Sequence, residues 1–208
     1  MTTHLGHVVT HGTFSIDGED FDVDNNIWIV GNDDECLVID AAHDAEPIIA
    51  GIGGRRATMI VCTHGHNDHI NVAAELADAT GATIAIHAAD RMLWDVVNPD
   101  RAPDVLIVDG DHFTAGGVEL VALHTPGHSP GGVSLYDPAN HQVFSGDTLF
   151  NGGPGATGRS FSDYDTIITS IRTRLLTLPP ETVVHTGHGD DTTIRAEQAN
   201  MTERAPET

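Results

Sequence analysis

The chain is 208 residues long, enough for a single domain spanning residues 1–208 that buries a core without disulfides or other staples. Thirty-one acidic residues face nine arginines and no lysine, a formal net charge of −22 that argues against nucleic-acid and anionic-membrane partners. No apolar run exceeds strand length, so no membrane span is expected, and the opening segment lacks the basic end and apolar centre of a secretory signal.

In chain order, His7–Ile16, Asn26–Val30 and Glu35–Ile39 read as strands separated by turns rich in Asp, Gly and Asn. Cys36 and Cys62 both sit in apolar strand contexts, which predicts buried free thiols and a reducing, cytoplasmic setting. Asp40 closes the third strand; a turn or helix N-cap role and an outer support for metal ligands fit it equally well. Pro47–Ile52 predicts a short helix ended by Gly53-Gly54. Ala57–Cys62 is an apolar run of strand length, and Val72–Ala77 opens a helix that stops at Gly81. Thr83–Ile86 is a strand ending at His87, read as a structural histidine. Ala88–Val97 is a helix with Met92 and Trp94 as packing residues, ended at Asn98-Pro99.

Val105–Val108, Asp111–Thr114 and Val118–His124 are short strands, and Val133–Tyr136 with Gln142–Phe144 forms a hairpin. Asp163–Leu178 carries Ile167, Ile168, Ile171, Leu175 and Leu178 at the spacing of an amphipathic helix, ended by Pro179-Pro180. Thr182–His185 is a last strand, and from Thr193 the chain is a polar helix or frayed end. Strands followed by helices, twice over, suggest two sheets back to back with helices outside.

Between the strand at Ala57–Cys62 and the helix at Val72 lies His64-Gly65-His66-Asn67-Asp68-His69, four metal-binding groups in six residues. Such a concentration of imidazole and carboxylate is unfavourable unless something uses the lone pairs. His64 and His66 are two apart on an extended end and point the same way, while Asp68 and His69 turn off as a helix begins. That geometry suits two metal sites side by side. His128 in the rigid loop Thr125–Gly132, Asp147 beyond a strand, and His188 after the last strand share one context, a glycine-bearing loop at a strand end.

Together, His-x-His-x-Asp-His, Thr125-Pro126-Gly127-His128, Ser145-Gly146-Asp147-Thr148-Leu149-Phe150 and Gly187-His188-Gly189 with Thr192-Thr193-Ile194 resemble the metallo-β-lactamase superfamily. Within it they are similar to the glyoxalase II-like hydrolases. The resemblance runs from Asn26 to Ile194. It implies an α/β fold, the four-layer αβ/βα sandwich, with metals at one edge. It places His64, His66 and His128 on a first cation, Asp68, His69 and His188 on a second, and Asp147 between them, with Asp40 as support. Two divalent ions are implied, zinc first, with iron or manganese also suited to the ligand set. The implied chemistry is attack of a metal-activated hydroxide on the thioester of a small-molecule substrate, Asp68 also orienting the nucleophile.

Glyoxalase II enzymes of the family carry a further helical domain for glutathione, and this chain ends soon after His188, so glutathione is not the expected carrier. The usual Gly-Arg-Thr-Asp stands here as Gly158-Arg159-Ser160-Phe161, leaving Arg159 either an anionic-substrate contact or a surface ion pair. The loops near Trp28, Trp94 and Asn151–Phe161 are expected to form the pocket. A lactonase, resembling Thr125–Gly131, and a persulfide dioxygenase with a single iron on His64, His128 and Asp147 are the alternative activities. A secreted β-lactamase, a nuclease and a metal-storage module fit the sequence less well.

Overall fold

The computed structural model describes residues 3–203. In chain order it runs β1 (His4–Ile16), β2 (Glu19–Gly31), β3 (Glu35–Ile39), α1 (Ala45–Ile52), β4 (Arg56–Val61), α2 (Asn67–Ile70), α3 (Ala73–Thr80) and β5 (Thr83–His87). Next come α4 (Arg91–Val97), β6 (Val105–Ile107), β7 (His112–Ala115), β8 (Val118–His124), β9 (Val133–Asp137) and β10 (Gln142–Gly146). The last elements are β11 (Leu149–Phe150), β12 (Gly153–Pro154), α5 (Tyr164–Ser170), β13 (Val183–Thr186), β14 (Thr192–Thr193) and α6 (Ile194–Glu203).

Two six-stranded sheets result, ordered β1-β2-β3-β4-β5-β6 and β14-β13-β10-β9-β8-β7. In the first, β3 to β6 are parallel neighbours and β1 and β2 add an antiparallel edge. In the second, β7 to β10 form an antiparallel meander to which β13 adds in parallel.

Successive side chains of a strand point to opposite faces, so a strand apolar at every position must be covered on both. Ile27, Ile29, Cys36, Val38, Ile60, Cys62, Ile84 and Ile86 pack outward with Ile48 of α1, Leu76 of α3 and Trp94 of α4. The alternate residues Trp28, Val30, Leu37, Ile39, Val61 and Ala85 face the other way, onto Phe113, Leu120, Ala122, Val133, Leu135 and Phe144 of the second sheet. Behind that sheet, Val143 and Val184 meet Ile167, Ile171, Leu175, Ile194 and Met201 of α5, its continuation and α6. Helix, sheet, sheet and helix are therefore four layers, as the resemblance implied. Both cysteines are buried free thiols, and burial pushes their pKa values up. No helix among the described residues is long and apolar enough to cross a membrane.

Several expectations change in detail. β1 and β2 are 13 residues each and pair along their whole length, so β2 begins well before Asn26. The unanticipated start of β2, residues 19–24, is almost wholly exposed, which removes the burial pattern a sequence reading depends on. The hairpin turns through Asp17 (φ 53°) and Gly18 (φ 77°), both left-handed, as a two-residue turn between twisted strands requires. Asp68 and His69 sit on their own one-turn helix, α2, separate from α3. The helix expected over Asp163–Leu178 is α5 followed by a π-helical stretch, Ile171–Leu175. Trp94 is fully buried, but Met92 is 45 % exposed and is not a packing residue.

Candidate metal centre

The two sheets direct their chain ends to one edge. β4, β10 and β13 release the segments carrying His64 to His69, Asp147 and His188 from their C-terminal ends, and the β8–β9 loop brings His128 beside them. This is the usual location of a site in a parallel sheet, because loops at that end are free to vary over a rigid base. Two glycines let the segments close in. A Cβ at Gly187 would lie 2.2 Å from Asp147 Oδ1, and one at Gly146, where φ is +50°, would lie 2.6 Å from Thr63 Oγ1.

All seven residues singled out in the sequence come together. His66 Nδ1 is 3.0 Å from both His64 Nε2 and His128 Nε2. His69 Nε2 is 3.2 Å from His188 Nε2, and Asp68 Oδ2 is 3.6 and 3.4 Å from those two atoms. Asp147 lies between the groups, one oxygen 3.3 Å from His69 Nε2 and the other 3.5 Å from His128 Nε2 and 3.4 Å from His188 Nε2. Among the described residues three overlapping sets of potential ligands emerge: His64, His66 and His128; His64, His69 and Asp147; Asp68, His69 and His188.

The outer face of each imidazole decides what the inner face offers. His128 Nδ1 donates to the Ala156 carbonyl (2.8 Å) and His188 Nδ1 to the Asp24 carbonyl (2.7 Å). His69 Nδ1 donates to Asp40 Oδ2 (2.8 Å). Thr63 Oγ1 donates to the same oxygen (2.9 Å), which leaves its lone pair to accept from His64 Nδ1 (3.1 Å). Each of these rings therefore turns its Nε2 to the cluster. Asp68 Oδ1 and Asp147 Oδ1 are buried with no hydrogen-bond partner. Ring nitrogens converging with unpartnered carboxylate oxygens form a buried set of ligand-type atoms that a divalent cation would satisfy. Imidazole and carboxylate donors suit zinc, iron or manganese.

Without a cation the cluster redistributes protons. Burial, reinforced by His128, lowers His66 to about 3, and burial with His69 and His66 holds His64 well below its ordinary value. Burial also opposes a charge on His188, but Asp147 and Asp68 outweigh it and raise that ring to about 10; His69 is raised in the same way. The carboxylates mirror this: burial favours their neutral form, yet the neighbouring imidazoles hold Asp147 well below the usual range and Asp68 below it.

Three supporting residues complete the centre. Asp40, held at φ 63°, accepts from Thr63 N (2.7 Å), Thr63 Oγ1 and His69 Nδ1. It therefore supports the ligand cluster, while the N-cap of α1 is Asp44. Sequence reasoning missed Asp90. Its fully buried carboxylate accepts from Gly65 N (2.8 Å), Ser129 Oγ (2.7 Å) and Gly131 N (2.5 Å), tying the His64–His66 segment to the His128 loop. It also missed Asn25, whose Nδ2 donates to Asp68 Oδ2 (3.2 Å) while its Oδ1 accepts from His43 Nε2 (2.7 Å). Neither residue carries a local signal, since each acts on partners distant in sequence.

Other candidates fall outside. His87 caps a short turn and stacks on His124 at 4.2 Å. Arg159 pairs with Glu19 and lies over the Phe21 ring at 5.5 Å. Trp28 and Trp94 themselves are buried in the two cores, but two of the expected pocket segments reach the large cavity beside His66: the one around Trp94, through Leu93, Val96 and Val97, and Asn151–Phe161, through Ser160 and Phe161.

The sequence pattern of the family described as the Metallo-beta-lactamase superfamily matches residues 20–188. The chain is 34 % identical over 187 residues to the probable metallo-hydrolase YqgX of Bacillus subtilis, covering 83 % of this chain and 89 % of that protein. It is 33 % identical over 190 residues to the hydroxyacylglutathione hydrolase GloC of Haemophilus influenzae, covering 83 % and 87 %. Among solved structures, the B3 metallo-beta-lactamase BLEG-1 superposes with a TM-score of 0.80 at 27 % identity, over 94 % of this chain and all of that one. TTHA1623, solved in a di-iron-bound form, gives 0.76 at 33 % identity, over 86 % and 94 %.

Proposed function

The chain belongs to the metallo-β-lactamase superfamily as a glyoxalase II-like, metal-dependent hydrolase, and from that premise we propose that it cleaves thioesters at a centre of two divalent cations. In this reading His64, His66 and His128 hold one cation, Asp68, His69 and His188 the other, and Asp147 reaches both. Zinc suits the donors, and the di-iron form of one relative supports iron equally. Cations held there supply Lewis acidity for a carbonyl oxygen and a water that is nucleophilic near neutral pH.

The observation that carries the reading is the outward tethering of four Nδ1 atoms, which leaves their Nε2 atoms converging beside two unpartnered carboxylate oxygens. The remaining chemistry belongs to the side chains. Asp68 keeps Oδ1 free while Asn25 holds its Oδ2, an arrangement that lets it orient an attacking water. Asp40 holds His69 in place. Neither cysteine competes as a nucleophile, because both are buried with raised pKa values. Water adds to the acyl carbon, the carbon–sulfur bond breaks, and carboxylate and thiol leave.

The test is elemental analysis and a substrate panel on one purified sample. Two metals per chain with thioester turnover upholds the proposal. One iron per chain with oxygen consumption, or turnover confined to lactones, overturns it. A chromogenic β-lactam belongs on the same panel because of the name the BLEG-1 relative carries.

A further inference from the structure

Beside the metal centre opens a cavity of about 560 Å³, with Gly65 and His66 on one wall and Ile16, Leu93, Val96, Val97 and Phe161 around it. That volume lies in the range of small-molecule sites. Val96 is 81 % exposed and Phe161 55 %, large apolar side chains that nothing else among the described residues covers.

Most polar atoms lining this space are already committed, the buried His66 Nε2 being an exception. Ser15 N donates to Asn67 Oδ1 and Ser15 Oγ to Asp20, while Asn67 Nδ2 donates to the Thr13 carbonyl. Asn71 Oδ1 accepts from His43 N, and Asp17 accepts from Ser160 N. No cationic side chain lines the cavity, and its one charged group is the Asp17 carboxylate. Arg159, which borders a smaller hollow next to it, is held by Glu19 and Phe21. A ligand group here gains from apolar contact, finds few free hydrogen-bond partners, and meets repulsion if anionic.

We propose that this cavity seats an uncharged, apolar acyl chain, the one attached to the carbonyl cleaved at the adjacent centre. The assignment rests on the thioesterase reading above. It separates this chain's substrate from thiol conjugates whose recognition depends on carboxylates.

The experiment uses the metal-loaded full chain and N-acetylcysteamine thioesters, whose thiol is neutral, with acetyl, butyryl, pentanoyl, hexanoyl, octanoyl and glutaryl groups. kcat/KM rises about fourfold per added methylene until the cavity is filled, and glutaryl falls below pentanoyl. Val96→Arg, at a position exposed enough to spare the fold, moves the glutaryl-to-pentanoyl ratio upward by roughly two- to fivefold. A merely damaged protein would not produce that gain. Independently of turnover, octanamide shifts the methyl resonances of Leu93, Val96 and Val97 in NMR spectra, and acetamide does not. Thioester turnover that is flat or falling with chain length, or faster for glutaryl, overturns the acyl site and leaves the thioesterase reading intact. Methyl shifts with octanamide but no turnover of any thioester uphold the apolar site and overturn the thioesterase reading instead.

Discussion

The two halves of the metal centre use the same side-chain type in opposite ways. His64, His66 and His128 form an all-imidazole group in which burial keeps His64 and His66 neutral. His69 is also buried and His188 partly so, yet Asp68 and Asp147 beside them raise both rings. The difference teaches that burial alone does not set a histidine's charge; the nearest carboxylate does. It follows that a cation entering the first group meets lone pairs, while one entering the second must displace protons.

The contrast breaks most completely at Asp147, which touches both groups. Asp147→Ala is expected to lose both metals and to lower kcat/KM by about 10³-fold or more. Metal content and turnover measured together check this, and a variant retaining both would remove Asp147 from the centre.

Proton linkage sharpens the contrast next. In metal-free protein His188 is raised to about 10, so its contribution to stability is complete below about 6.5 and is lost as pH climbs through 10. His66, lowered to about 3, does the reverse: unfolding is favoured by its protonation below about 6.5, so stability grows with pH from 3 upward. Urea unfolding of the metal-free protein across pH should show two limbs. His188→Gln should flatten the alkaline one and His66→Gln the acidic one. In calorimetry at pH 8, zinc loading should release protons chiefly from the second group.

Asp40→Asn acts on one side only. It loosens His69, and a roughly 10- to 100-fold loss of metal affinity is expected at the second group, with the three-histidine group less affected. Equal weakening of both in a competitive chelator titration would contradict the separation. Asp90→Asn acts on the other side. Disturbing a buried carboxylate that holds two backbone N–H groups is expected to destabilise the fold by about 1–3 kcal/mol and to weaken the three-histidine group first. Thermal unfolding of metal-free and loaded protein reads both effects. Arg159→Gln should do least, within about 1 kcal/mol of stability, because its ion pair with Glu19 is solvent-exposed.

The legible parts of the site were those whose chemistry is concentrated in a few neighbouring letters. Four ligand-type groups in six residues, and Gly-His and Gly-Asp pairs at strand ends, marked the candidates, and the family resemblance implied that they converge. Asp90 was illegible because its partners, the backbone N–H groups of Gly65 and Gly131 and the Ser129 hydroxyl, lie far from it in the chain. Asn25 was illegible for a related reason, since nothing beside it shows that Asp68 lies across the sheet edge. Trp94, read as a packing residue, is buried against the first sheet, and its helix neighbours Leu93, Val96 and Val97 line the cavity as expected of that segment; Trp28 is instead buried between the sheets, away from it.

From the letters alone came the α/β class, the four layers and the identity of the clustered side chains, because strand alternation and residue chemistry are local properties. Tertiary structure decided which imidazole nitrogen faces inward, which rings are charged, how Asp40, Asp90 and Asn25 support the cluster, and that a mainly apolar cavity without a cationic side chain adjoins His66. Each of those depends on distances between segments far apart in the chain, and hydrogen bonding and Coulomb interaction act through space whatever the sequence separation.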